Sequence, residues 1–371
     1  MRLAERMVKM AKARGSKKPD CPDDPGPDER PQSERKGTKP RRTIDLVTGP
    51  SSGIGIRLIR QLLDRGDEVR IVVLDEPGGE SWKLIPRGVI PYSADITLKR
   101  PNDRKILEDA CRGVNNLFHI AGITDEMGNP PYEQFINVNV VGTENILDAF
   151  VGANKGAQLR FVYMGSTAVY GQNRPHEILT EESATKPADP YGETKLMAEH
   201  VVKSFSEVHD NLGYTIFRVA KMYGPHYEAV FHKVFRYLKE GKLVYIGKGD
   251  NHINLVHVDD VVGAMLLAVD MPMAINKTYN LTDGETYTLK QMFDKAASFM
   301  NIPPPTKSVH PLIAKLGARS LHISKGELDF MTSDRVISIS KIKKDLNFTP
   351  KRQVDTEGYL MVKEFLKAYR G

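Results

Sequence analysis

The chain has 371 residues, 40% hydrophobic and 27% charged, which excludes a fibrous or wholly disordered protein and allows one large or two smaller packed domains. No apolar run approaches the roughly 20 residues that cross a bilayer, and two cysteines, Cys21 and Cys111, exclude a disulfide framework and fit a reducing cytoplasm. The net charge of +6 marks no nucleic-acid groove, because residues 1–42 hold 13 of the 53 Lys+Arg and 7 of the 47 Asp+Glu, which is the whole excess.

Met1 to Lys18 is basic, with Leu3, Met7, Met10 and Ala11 on one helical face. It reads as a membrane-surface or targeting helix, or as a frayed solvated one. It lacks the apolar core of a secretory signal, in keeping with a cytoplasmic protein. Pro19 to Arg42 scatters six prolines among charges, so 1–42 is expected to be a disordered basic tail.

Ile44, Leu46 and Val47 form a short apolar run suited to a buried strand. Thr48 to Gly55 follows as TGPSSGIG, and then Ile56, Leu58, Ile59, Leu62 and Leu63 recur at helical spacing up to Gly66. Strand, glycine-rich turn and helix in succession make a phosphate-binding unit. Gly49 allows the tight turn, Gly53 lets the backbone approach a pyrophosphate, and Gly55 lets helix and strand pack closely. The N–H groups of the helix start then face the diphosphate. Gly49, Ser51, Ser52, Gly53, Ile54 and Gly55 are therefore the cofactor-binding candidates of this loop. Asp75 ends the next apolar run, Val69 to Leu74. An acid there accepts the ribose hydroxyls of an adenosine and repels a 2′-phosphate, favouring NAD while leaving NADP open. Its other reading, beside Glu76, is a solvated turn residue.

The alternation continues as 44–48, 54–65, 69–74, 102–112, 115–120, 132–153, 159–164, 191–210 and 214–219. Strands alternating with helices predict an α/β Rossmann domain over 43–220, a doubly wound parallel sheet binding ligands at the carboxyl ends of its strands. After Tyr223-Gly224-Pro225 the rhythm changes, and 221–371 reads as a smaller C-terminal α/β substrate lobe.

Tyr191 and Lys195 stand four apart in a helical segment, so both side chains share a face. A phenol ionises near 10, too high for efficient proton transfer at neutrality, and a neighbouring cation lowers that value. Lys195 would also hold the ribose of a nicotinamide. Ser166 follows the strand 159–164, where its hydroxyl would stabilise charge developing on a reacting oxygen.

These features, with Asp95-Ile96, His119 to Gly122, Asn139 to Thr143, Ser166 to Gly171, Arg218 to Pro225 and Val256 to Asp260, resemble the extended short-chain dehydrogenase/reductase family, the NAD-dependent epimerase/dehydratase group. The similarity spans about 43–350. It implies that Asp75 binds the adenosine ribose, Asp95 and Ile96 the adenine, and that Ala121 and Gly122 line the dinucleotide path. It further implies that Asn139 supports the site and that Ser166, Tyr191 and Lys195 form a catalytic triad. Helices 132–153 and 191–210 would pair with their copies in a homodimer, and 252–270 would return the chain to the cofactor domain.

The departures narrow the chemistry. The spacing G-x-x-x-G-x-G matches the shorter branch of the superfamily, with Ser52 where extended members carry a glycine. Sugar-nucleotide 4,6-dehydratases carry Thr-Asp-Glu where this chain has Ser166, Thr167 and Ala168, so the acid and base for water elimination are missing. Epimerases and decarboxylases usually place an asparagine where this chain has Lys221 and an arginine where it has Ile253; losing the arginine removes a bidentate phosphate clamp. The stretches Gly247 to Asp260 and Thr332 to Arg335 look nearer to 3β-hydroxysteroid dehydrogenase and dihydroflavonol reductase-like members.

Thr167, Lys221, Met222 and Tyr223 are the candidate substrate contacts, although Met222 and Tyr223 read equally as lobe core. His119 reads as a packed core histidine, Arg218 as structural, and Asp259-Asp260 as a cap for the following helix. No metal-ligand pattern occurs among the histidines. The expectation is an NAD(P)-dependent oxidoreductase acting on a secondary alcohol or ketone of a small molecule. The alternatives are a nucleotide-sugar epimerase that keeps its NAD, and a non-catalytic dinucleotide-sensing scaffold.

Overall fold

The computed structural model describes residues 43–369 apart from 77, 125–126, 128–129, 172–176, 226, 318–327 and 329–330. The tail 1–42, and with it the expectation of its disorder, lies outside the described residues.

Seven strands form one sheet: β1 (Ile44–Thr48), β2 (Glu68–Val73), β3 (Ile90–Ser93), β4 (Asn116–His119), β5 (Leu159–Ser166), β6 (Leu212–Val219) and β7 (Lys277–Leu281). Their order is β7-β6-β5-β4-β1-β2-β3, and every neighbouring pair is parallel. The order reverses between β1 and β4, which opens a crevice at the carboxyl ends of those strands.

Both faces of the sheet are covered, which explains why its strands read as unbroken apolar runs. Successive residues alternate between the faces. Val47, Phe118, Val162 and Phe217 pack with α1 (Gly53–Asp64) and α6 (Val258–Asp270). Leu46, Leu117, Phe161 and Ile216 pack with α2 (Asp103–Cys111), α3 (Gly142–Ala153) and α4 (Pro190–Val208).

Three features depart from the sequence reading. Strand β3 was not expected; Pro91 and the weak alternation of Ile90–Ser93 hide it, and an edge position tolerates the proline. The stretch 132–153 is not one regular helix, because Ile136–Val141 winds as a π-helix before α3. The return of the chain to the seven-stranded sheet, expected over 252–270, also runs past residue 270. Strand β7 adds the sheet's outer edge beside β6, and α8 (Ser340–Leu346) buries Ile342 and Leu346 on the α1 and α6 face.

The remainder of 221–369 packs α5 (Glu228–Lys239), α7 (Leu289–Met300) and α9 (Val354–Tyr369) around Phe235, Ala297, Met300, Met361 and Phe365. Among the described residues, no helix is long and apolar enough to cross a membrane.

Candidate active site

The glycine turn is built as its sequence requires. Gly49 has φ +71, and a Cβ there would stand 2.9 Å from the Ala121 nitrogen. At Gly55 a Cβ would meet the Gly49 carbonyl oxygen at 2.4 Å, so only hydrogen fits between turn and helix. Ser52 caps α1: its Oγ accepts from the Gly55 N–H at 3.1 Å and donates to the Gly49 carbonyl at 2.8 Å. A serine in place of glycine therefore braces the turn.

Ser51, Ser52 and Gly53 open on a cleft of about 520 Å³ that also reaches Ser166, Tyr191, Lys221 and Met222. Ser166 Oγ accepts from the Ala168 N–H at 3.1 Å, which leaves its own proton to donate. Thr167 lies on the same wall. Asp189, with Pro190 at the first helical position, caps α4 by accepting from the Gly192 N–H at 2.7 Å and so fixes where Tyr191 leaves the helix.

Lys195 lies behind the cleft wall and is 2% exposed. Its Nζ donates to the Met164 carbonyl at 2.9 Å and stands 5.9 Å from the centre of the Tyr191 ring. Burial pushes its ammonium down to about 8, partly opposed by the Glu199 carboxylate. A Cβ on Gly122 would come within 3.0 Å of Asn139 Oδ1 and 3.2 Å of Lys195 Nζ, so the missing side chain keeps this corner open. Asn139, in the π-helix, exchanges hydrogen bonds with the backbone of Ile123 (2.8 and 3.1 Å) and donates to Thr194 Oγ1 at 3.2 Å. The extra residue in that turn aims Asn139 across at α4.

His119, at the end of β4, bridges Thr48 Oγ1 at 2.8 Å and Thr143 Oγ1 at 2.9 Å. Burial drives its imidazole down to about 3, so it is neutral at physiological pH. Thr48 Oγ1 also accepts from the Ala121 N–H at 3.2 Å, which ties the first turn to the end of β4.

Asp75 follows β2 and Asp95-Ile96 follows β3, on the same carboxyl edge but outside the lining of the cleft. Asp95 Oδ1 accepts from the Thr97 N–H and hydroxyl at 2.8 and 2.7 Å. Ile96 packs on Gly142, and its carbonyl accepts from Asn145 at 2.8 Å.

Three expectations need correction or refinement. Tyr223 does not face the cleft; it is 2% exposed and its ring packs edge-on against His257 at 5.2 Å, within the lobe core. Asp259-Asp260 does not cap α6, because His257 Nδ1 takes that role for the Asp259 N–H at 3.2 Å. Asp260 instead accepts from the Lys351 and Arg352 N–H groups at 2.9 and 3.0 Å. Arg218 forms a buried pair with Glu199 at 2.9 Å and donates to the Tyr170 hydroxyl at 2.9 Å.

The sequence reading singled out the stretches 247–260 and 332–335 for their resemblance alone and did not foresee that they meet as a polar wall on the lobe side of the cleft. Asp334 Oδ1 accepts from both the backbone N–H and Nδ1 of His252 at 2.8 Å, and the Arg335 N–H donates to the His252 carbonyl at 3.0 Å. His252, Ser333 and Arg335 line the cleft together. The two stretches stand about 80 residues apart in the chain, and no spacing rule pairs them.

The donor set fits a dinucleotide: a turn with a glycine cradle, backbone N–H groups at a helix start, and a buried ammonium beside a phenol. Residues 46–282 match the NAD dependent epimerase/dehydratase family, and the chain belongs to it. Membership makes this an NAD-dependent enzyme and sets the scaffold alternative aside. Among its relatives, a 3-beta-hydroxysteroid dehydrogenase from Mycolicibacterium neoaurum is 27% identical over 82% of this chain and 86% of the relative. A UDP-glucose 4-epimerase from Vibrio cholerae is 25% identical over 87% and 95%. In fold, the chain resembles the UDP-glucose 4-epimerase of Thermotoga maritima solved with UDP-glucose, with a TM-score of 0.70 and 23% identity over 88% of this chain and 100% of the other.

Proposed function

We propose that the chain moves hydride at a secondary alcohol or ketone through Ser166, Tyr191 and Lys195. The observation that carries this reading is the buried Lys195 ammonium, pinned by the Met164 carbonyl 5.9 Å from the Tyr191 ring, beside a cleft shared by Tyr191, Ser166 and the glycine turn. NAD, when bound, supplies the hydride acceptor or donor. The turn residues 49–55 would hold its diphosphate, Asp75 the adenosine ribose, Asp95 and Ile96 the adenine, and Lys195 the nicotinamide ribose, with Ala121 and Gly122 along the path. Asn139 would keep that corner in place.

Tyr191 would take the proton of the alcohol, or return it to the ketone, with the neighbouring ammonium favouring the phenolate. Ser166 would donate its free proton to the reacting oxygen and offset the charge that develops there. Thr167, Lys221 and Met222 would contact substrate from the adjoining walls. Helices α3 and α4 would pair with a second copy in a homodimer.

A panel of secondary alcohols incubated with NAD tests the reaction by NADH absorbance. The reading expects accumulation of NADH with at least one alcohol, and loss of that signal in Tyr191→Phe. A second reading, the nucleotide-sugar epimerase, draws support from Lys221 and Arg335, two cations on the cleft walls. It expects NAD retained through purification and sugar inversion with no net NADH.

A further inference from the structure

Tyr163, on β5, lies directly under the Lys195 ammonium and has no part in the roles assigned above. Its ring centre is 5.1 Å from Lys195 Nζ, closer than the Tyr191 ring at 5.9 Å. The side chain is fully buried, and its hydroxyl has no hydrogen-bond partner among the described residues. The ring also stacks on His119, with centres 5.9 Å apart, and His119 is clamped between Thr48 and Thr143. A buried tyrosine normally finds a partner for its hydroxyl. Here the aromatic face carries the contact and the hydroxyl is spare.

We propose that the Tyr163 ring is a positioning residue for Lys195: its face holds the buried ammonium charged and directed toward the ribose of the dinucleotide. The proposal rests on the reading of Lys195 as the ribose-binding cation. An ammonium taken out of water has to replace its hydration. Three N–H donors need acceptors, and the Met164 carbonyl accounts for one among the described contacts. A desolvated cation over an aromatic face gains the stabilisation that water would have given. The titratable groups facing this ammonium are Tyr191 and Glu199 from α4, Tyr163 from β5 and His119 from β4. His119 is neutral above about pH 3, and Glu199 is engaged with Arg218, so the ring is the contact a single substitution can remove cleanly.

The test needs no substrate. NADH binding is titrated by fluorescence across the pH range in which Lys195 loses its proton, for the parent chain, Tyr163→Phe, Tyr163→Leu and Lys195→Met. In the parent and in Tyr163→Phe, affinity falls above about pH 8. In Tyr163→Leu the fall begins about one pH unit lower, so above both midpoints NADH binds about tenfold more weakly than in the phenylalanine variant. Lys195→Met loses the pH dependence. A Tyr163→Leu curve superimposed on that of Tyr163→Phe, with native circular dichroism, overturns the proposal alone. PH dependence persisting in Lys195→Met overturns the ribose reading and the proposal with it. Tyr163→Met, which fills the space without an aromatic face, carries the same expectation as leucine should the leucine chain not fold.

Discussion

At the scale of single residues, the proposed chemistry separates groups that would touch substrate from groups that would hold others in place. Tyr191→Phe is expected to lower kcat by about 10²–10⁴ while calorimetry finds NAD bound with nearly parental affinity. Ser166→Ala is expected to cost about 10²–10³ in kcat, because it removes a cleft-lining hydroxyl whose oxygen accepts from the Ala168 N–H and whose proton stays available to donate. His252→Ala should instead raise KM with kcat and NAD affinity unchanged, since Asp334 holds His252 in the cleft lining contributed by the C-terminal part of the chain. A buried carboxyl outside the site offers a stability test. Burial raises Asp45 to about 6 from an ordinary value of 3.8, so the folded state binds more protons across that interval. Stability contributed by Asp45 is therefore lost as pH rises from about 4 through about 6. Asp45→Asn, whose amide oxygen still accepts from Asn116, should gain up to about 3 kcal/mol relative to the parent at pH 7 compared with pH 4, read from urea unfolding.

At the scale of elements, what was legible in the sequence was whatever lies close along the chain. The glycine turn, the Tyr191–Lys195 spacing and the alternation of strands and helices are local patterns, and local sterics enforce them. Contacts made by folding were not legible. His252 meets Asp334 only because the 333–337 stretch docks on 252–254, and Asn139 meets Thr194 only because a π-helical turn swings it there. Tyr223, which read equally as a substrate contact and as lobe core, is settled as core only by the folded structure, since a strand's alternation does not say which of its faces meets the cleft. The turn itself can be probed by two alanines. Gly55→Ala forces a Cβ onto the Gly49 carbonyl at 2.4 Å and is expected to destabilise the chain and abolish NAD binding together. Gly122→Ala crowds only side-chain ends, at 3.0 and 3.2 Å, and should weaken NAD binding while the melting temperature changes little.

At the scale of the whole molecule, the chain's two halves are interlaced. The outermost strand of the sheet comes from residues 277–281, and one face of the core is completed by Ile339, Ile342, Leu346 and Phe348. A polypeptide stopped after residue 220 would carry a raw sheet edge along β6 and an uncovered patch where Val258, Val261 and Val262 belong. Such a piece should aggregate, and NAD should not rescue it. The two halves are thus made to mature together. The cleft gains its full lining only once Ser333, Arg335 and Ile337 have arrived, so a chain released early from the ribosome is expected to show no partial activity.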